Sequence, residues 1–231
     1  MLTPVELEAF KLSLWISLSS VLCNLPIAIL IAWLIGRYRF TGRALLDACV
    51  HLPLVLPPVV TGYLLLMLLG IHGPIGHWLY TTFQIRLAFT TTGAIIATAV
   101  MSFPFMVRAI RLSIEGIPRG LDEAARTLGA GPIDRFFQVT LPLIVPGILA
   151  GMITAFAAGL GEFGAVITFA SNIPGQTQTL PLALYTALQS PSGDIAAMRI
   201  AGLSVLLGFM GLLAGEWMAR TLRKHYGTAS C

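Results

Sequence analysis

Glu162 is the one carboxylate set well inside an apolar run of this chain, in the stretch Gly159-Leu160-Gly161-Glu162-Phe163-Gly164. A charge at mid-membrane depth costs roughly 2–3 kcal/mol or more, so such a side chain is expected to turn inward. An ionised carboxylate would repel an anionic substrate. Structural work is therefore the expected role: capping broken backbone, holding a gate, or staying protonated in an apolar setting. The other ionisable groups form no reactive constellation. His72 and His77 stand five apart in a Gly-Pro loop with no carboxylate or cysteine beside them, and read as loop histidines, not metal ligands. Neither a Gly-x-Ser-x-Gly elbow nor a His-Glu-x-x-His pair occurs. The two lysines, Lys11 and Lys224, lie outside any G-x-x-x-x-G-K-[ST] loop. No catalytic residue, metal site or cofactor is expected. If ATP drives this protein, ATP and its Mg²⁺ sit on another polypeptide.

Three stretches carry residues that disturb a helix. Pro53, Pro57 and Pro58 precede Thr61-Gly62; Ser102-Phe103-Pro104 forms the second; Gly159 and Gly161 flank Glu162 in the third. Irregular backbone at membrane depth is tolerated only inside protein or along a polar cavity. Pro57, Pro58, Thr61, Gly62, Ser102, Pro104, Glu162, Phe163 and Gly164 are accordingly the candidates for a translocation route and its gate. The alternative is simple kinked packing between helices. The spans hold Ser and Thr but no buried Arg, which suits a weak, transient path for an anion, with a separate binding protein supplying affinity and choice.

These residues need a membrane-embedded frame, and the composition supplies one. The 231 residues are 56% hydrophobic and 10% charged, against about 25% charged in soluble domains. Mean hydropathy is +0.85. Five runs reach the roughly 20 apolar residues needed to cross a bilayer: 12–35, 48–71, 87–107, 145–170 and 195–219. Together they predict an all-α integral membrane protein with a single transmembrane domain over residues 1–231. The N-terminal MLTPVELEAFKLSLW shows no cleavage site, so the first run is expected to be a retained span. Of the 14 Lys and Arg, Lys11, Arg86 and Arg199 fall on one side, and the others, from Arg37 to Lys224, on the opposite side. This asymmetry places the N-terminus outside and the C-terminus in the cytoplasm. Asp47 and Asp194 then lie on opposite sides and cannot pair as a protease dyad. The net charge of +4 follows the edges of apolar spans, as membrane topology does, and forms no aromatic-plus-basic stacking pattern of the nucleic-acid-binding kind, which argues against nucleic acid. Cys23 and Cys49 read as small core residues and Cys231 as a tail thiol, with no disulfide framework.

Connections 70–86 and 171–194 are long and nearly uncharged, and have room for short re-entrant or interfacial helices. The inner connection, 112–144, is different. Leu121, Ala124, Ala125 and Leu128 recur at helical spacing, with Asp122, Glu123 and Arg126 on the remaining surface. Asp122 and Glu123 are placed in the first turn, where the helix dipole favours them, and Gly129 at the C′ position. Gly131-Pro132 opens a second short helix with Ile133, Phe136, Phe137 and Leu141 as its apolar stripe; Pro142 and Pro146 bend the chain back into the membrane. The small surface of Ala124, Ala125, Gly129, Ala130 and Gly131 would let a partner approach closely; an interfacial hairpin without a partner is the alternative.

Glu123-Ala124-Ala125, then Gly129, then Leu141-Pro142, resembles the EAA signature of ABC-importer permeases, and the resemblance extends over essentially the whole chain. Gly161-Glu162-Phe163-Gly164-Ala165-Val166 is similar to the EFGA segment of the molybdate and sulfate permease group, and His51 to Pro58 to the proline-rich segment of molybdate permeases. The absence of an extra N-terminal span also looks more like the molybdate members. The resemblance implies a type I importer fold in which Leu121 to Gly129 form a coupling helix seated in a cleft of an ATPase. It further implies a homodimer with the route at its interface, two ATPase subunits and an external oxyanion-binding protein. The substrate would be molybdate or tungstate, with sulfate, thiosulfate or another oxyanion as the near alternative. A self-contained secondary transporter is the alternative of a different class; it would need coupling-ion carboxylates beyond Glu162.

Overall fold

The computed structural model describes residues 3–191 and 193–226. Cys231 and the side chains of Asp122, Glu216 and the basic tail from Arg220 to His225 lie outside the described residues. Every regular element among the described residues is helical. Among the described residues, four helices are long and apolar enough to cross a membrane, or five if one sharply bent pair counts as a span.

Helix α1 (Pro4–Arg37) starts where the sequence dictates. Thr3 Oγ1 accepts the Glu6 N–H at 3.3 Å and Glu6 accepts the Thr3 N–H at 2.8 Å, a capping box with Pro4 in the first turn. At 1.5 Å per residue its 34 residues reach about 51 Å, so it must tilt or project beyond the hydrocarbon. It packs against α5 (Thr91–Glu115) and α8 (Leu141–Leu160). Ala28, Ala32, Ile35, Met106, Ile110, Ile144 and Ala155 fill the centre of this trio. Small residues let the backbones approach, which is how helices associate without a hydrophobic driving force in lipid. A second cluster of Ala94, Ala97, Ala165, Val166 and Phe169 joins α5 to α9 (Gly164–Phe169). A third, with Ala9, Leu180, Ala183 and Ile200, ties α1 to α10 (Leu180–Leu188) and α11 (Asp194–Tyr226).

The boundaries depart from the sequence-based spans for local reasons. The second run is two helices, α2 (Arg43–Val55) and α3 (Pro58–Leu69), bent by 116°. Helix α5 runs two turns past Val107, carrying Arg108 and Arg111, because nothing stops it before Gly116. Pro104 sits inside this unbroken helix. The fourth run begins far earlier than residue 145. A continuous rod, Pro132–Leu160, joins α7 (Pro132–Arg135), a π segment (Phe136–Thr140) and α8. The two uncharged connections do carry short helices, α4 (Pro74–Phe83) and α10. Cys23 and Cys49 are exposed on the surface and are not core residues.

The far end of the molecule is fastened by a pair distant in sequence. Arg199 donates to Glu6 Oε1 through Nε at 3.1 Å and Nη2 at 2.9 Å, and the Glu6 side chain is 4% exposed. Removing the guanidinium leaves a buried carboxylate unpaired. Because the Arg199 side chain is 39% exposed, the cost is discounted to about 2 kcal/mol. Arg199→Ala is expected to lower the melting temperature in detergent, and adding Glu6→Gln to recover part of the loss.

Candidate translocation and coupling site

Leu56 and Pro57 each precede a proline, which disfavours the helical region. Both are extended, at ψ 142° and 135°. Two successive prolines donate no N–H, so the ladder stops, and Pro58 restarts it as the first residue of α3. Pro53, by contrast, is absorbed within α2. The second break runs through Gly161, Glu162 and Phe163 between α8 and α9. There Glu162 Oε1 accepts the Ala165 N–H at 2.8 Å. The half-buried carboxylate thus caps restarted backbone, one of the structural roles expected of it. Phe163 is held against Tyr185 of α10, with centroids 5.3 Å apart.

The two breaks lie against each other. A Cβ on Gly62 would come within 2.7 Å of Ala165 O and 2.8 Å of Thr168 Cβ. One on Gly164 would come within 2.7 Å of Pro58 Cβ. Only glycine permits this approach of α3 to α9. Pro57, Pro58, Thr61, Gly62, Glu162, Phe163 and Gly164 therefore belong to one pair of restarted helices. Thr61 is buried there, and its Oγ1 has no hydrogen-bond partner. Ser102 and Pro104 do not join them. Ser102 is buried against α1, where Asn24 donates to its Oγ at 3.3 Å and to Ala99 O at 2.8 Å. Asn24 was not singled out from the sequence, although a lone amide within an apolar run is a detectable signal.

At the arginine-rich end, α6 (Arg119–Thr127) stands proud of the bundle. It begins at Arg119, so Asp122 and Glu123 are its fourth and fifth residues and lie past the first turn, not within it. Its end is as the sequence predicts. Gly129 has φ +84°, Ala130 N–H donates to Ala125 O at 3.1 Å, and Gly129 N–H donates to Arg126 O at 3.0 Å; this is the Schellman pattern. Leu121 is 46% exposed and Leu128 88%; Ala124 is exposed and Ala125 half-buried. The stripe faces away from the bundle.

The turn that follows is confined to Gly129–Gly131. No corner forms at Pro142 or Pro146. The N–H of Leu141 reaches back to Phe136 O, and this wider i→i+5 turn precedes Pro142, which has no N–H to bond. Trp33 meets Phe136 edge-on with centroids 5.0 Å apart. The helix after the turn is thereby fixed to α1.

Above α6, a charge network joins the broken span to α5. Arg111 Nη1 donates to both Asp47 oxygens at 2.9 Å and its Nε donates to Glu115 at 2.8 Å. His51 Nδ1 lies 3.2 Å from Asp47 Oδ1. The network was missed because the third span was ended at Val107. Its signal was Arg43, Asp47 and His51, spaced four apart on one face of α2. Among the described residues no group of three metal-ligating side chains occurs.

A helical membrane domain with two broken helices packed glycine to backbone, above one solvent-facing capped helix, is the architecture of a transporter's membrane subunit. The chain belongs to the family described as binding-protein-dependent transport system inner membrane component, whose model matches residues 25–224. It is 54% identical over 226 residues to the molybdenum transport system permease protein ModB of Escherichia coli K12, covering 98% of this chain and 99% of that one. The sulfate transport system permease protein CysT of the same strain is 38% identical over 209 residues, covering 89% and 75%. Among solved structures, a bacterial alginate ABC transporter in complex with a pentasaccharide-bound periplasmic protein superposes with a TM-score of 0.77 at 22% identity, covering 96% of this chain and 81% of that chain. The last likeness bears on the fold alone.

Proposed function

We propose that this chain is the permease of an ATP-driven molybdate importer. It works as a homodimer with two ATPase subunits and an external oxyanion-binding protein. The observation that carries the substrate is the 54% identity to a molybdenum permease along nearly the full length of both chains. Tungstate, of the same charge and shape, would follow the same route. Sulfate is the second reading, supported by the lower identity to CysT. Family membership sets aside a self-contained secondary transporter.

In this reading the arginine-rich end is cytoplasmic and α6 enters a cleft of the ATPase, which binds ATP and Mg²⁺. Closure of the ATPase pair moves α6 as a lever. The rigid turn at Gly129–Gly131, and the fixed helix beyond it, pass that displacement to the bundle, which switches between inward- and outward-facing states. The restarted helices α3 and α9 form the gate, and the binding protein supplies affinity. Reconstitution with ATPase and binding protein tests this. ATP-dependent uptake of labelled molybdate should exceed that of sulfate by at least about tenfold, a difference of roughly 1.4 kcal/mol. Equal sulfate uptake would transfer the assignment to the second reading, and uptake without ATPase would end both.

Thiol labelling separates the gate candidates. Thr61→Cys is expected to react with a small water-soluble reagent during turnover, because its hydroxyl lies unpartnered at the gate pair. Ser102→Cys should stay protected in every state. Reaction of both or of neither would remove Thr61 from the gate.

A further inference from the structure

A polar cavity of 560 Å³ opens at the arginine-rich end, where α1 stops, α2 starts and α6 passes beneath; Arg37, Tyr38, Arg39, Arg43, Glu115 and Glu123 line it. Glu115, one of the two carboxylates in this lining, is already engaged. Glu115 holds Arg111 at 2.8 Å, while Arg43 stands 3.8 Å away. Arg39 is exposed and has no acidic partner among the described residues. Arg39 thus brings to the cavity a positive charge that no described carboxylate neutralises.

Tyr38 in the cavity wall is held by packing: its ring meets Trp33 edge-on at 5.1 Å, and Trp33 in turn meets Phe136 at 5.0 Å. The sequence around it, Arg37-Tyr38-Arg39-Phe40-Thr41-Gly42-Arg43, alternates bases with aromatics directly after an apolar span. Tyr38 and Phe40 are 39% and 38% exposed. Amphipathic rings of this kind settle at headgroup level, and basic pockets between helices at the cytoplasmic surface recognise phosphate headgroups.

We propose that this cavity binds the headgroup of an anionic phospholipid, with Arg39 and Arg43 on the phosphate and Tyr38 at the acyl boundary. Because Glu123 of α6 lines the same cavity, the bound headgroup helps set where the coupling helix sits. The assignment takes the arginine-rich end as the cytoplasmic one, as proposed above. The test below is done in detergent, so it fails or succeeds independently of that orientation.

Native mass spectrometry of the purified full chain, titrated with phosphatidylglycerol and phosphatidylcholine, measures the site. Phosphatidylglycerol should be retained preferentially, and Arg39→Gln should weaken it about fivefold, the ratio given by roughly 1 kcal/mol per arginine at an anionic surface. Arg39→Lys should retain most of the binding. Arg108→Gln, an exposed arginine at the same end outside this cavity, should change nothing. Equal retention of phosphatidylcholine overturns the proposal, as does an equal loss in Arg108→Gln, which would mean diffuse surface charge. Displacement by equimolar glycerol 3-phosphate would make it a free-phosphate site. Loss of the lipid on adding the ATPase would make the cavity part of that protein interface. Either result rejects the lipid assignment.

Discussion

Leu128→Asp is expected to cut ATP-driven uptake by at least about thirtyfold while the chain still inserts and keeps its helices. The Leu128 side chain is 88% exposed and closes α6 at its C-cap. It contributes nothing to the core clusters, so a polar substitution has little native packing to lose; surface changes of this kind stay within about 0.5 kcal/mol. In the proposed docking of α6, the same leucine buries most of this exposed area against the ATPase. Burying such a side chain is worth about 1.5–3 kcal/mol, and forcing a carboxylate into the contact adds a desolvation cost. A loss of about 2–3 kcal/mol is roughly thirty- to a hundred-and-fifty-fold in docking affinity. Co-purification with the ATPase checks this directly, with binding-protein-stimulated ATP hydrolysis as the second readout. A Leu128→Asp chain that still recruits and stimulates the ATPase would show that α6 is not the coupling element.

Features set by local chemistry were legible in the sequence. The Gly129 turn, the Pro57-Pro58 break and the capping position of Glu162 depend on residues within a few places of each other. The family resemblance rested on those same stretches. What escaped was set at longer range. Pro104 and Pro146 look like breakers in a window of ten residues, yet both lie inside helices. One missing backbone hydrogen bond is tolerable where neighbouring helices crowd both sides. Hydropathy ends the third span at Val107, because the charge of Arg108 closes an apolar window. The helix itself runs on until Gly116, so Arg111 reaches Asp47, 64 residues earlier in the chain. The partnership of Gly62 with Gly164 was equally invisible. Each glycine reads alone as a flexible point, and only the fold shows that they hold the two breaks in contact.

That contact makes Gly62→Val the second large effect. The new Cβ would meet two backbone atoms, Ala165 O at 2.7 Å and Ala165 Cα at 2.9 Å, besides Thr168 Cβ at 2.8 Å. A side chain can rotate away from such a clash, but backbone cannot, so α3 must withdraw from α9. Overpacking of this sort costs about 1–3 kcal/mol, which a bundle anchored by α1, α5 and α8 can absorb without unfolding. The proposed gate has less to spare, because its two restarted helices touch through this approach. Uptake is expected to fall at least about tenfold, the equivalent of roughly 1.4 kcal/mol, with insertion and ATPase recruitment intact. Gly164→Ala should act in the same direction, since its Cβ would press Pro58 Cβ at 2.7 Å. Gly208→Val supplies the control, as nothing lies within 4 Å of a Cβ there. Uptake measured side by side in reconstituted vesicles decides the matter. If Gly62→Val transports as well as Gly208→Val, the two breaks are packing features, and the route lies elsewhere.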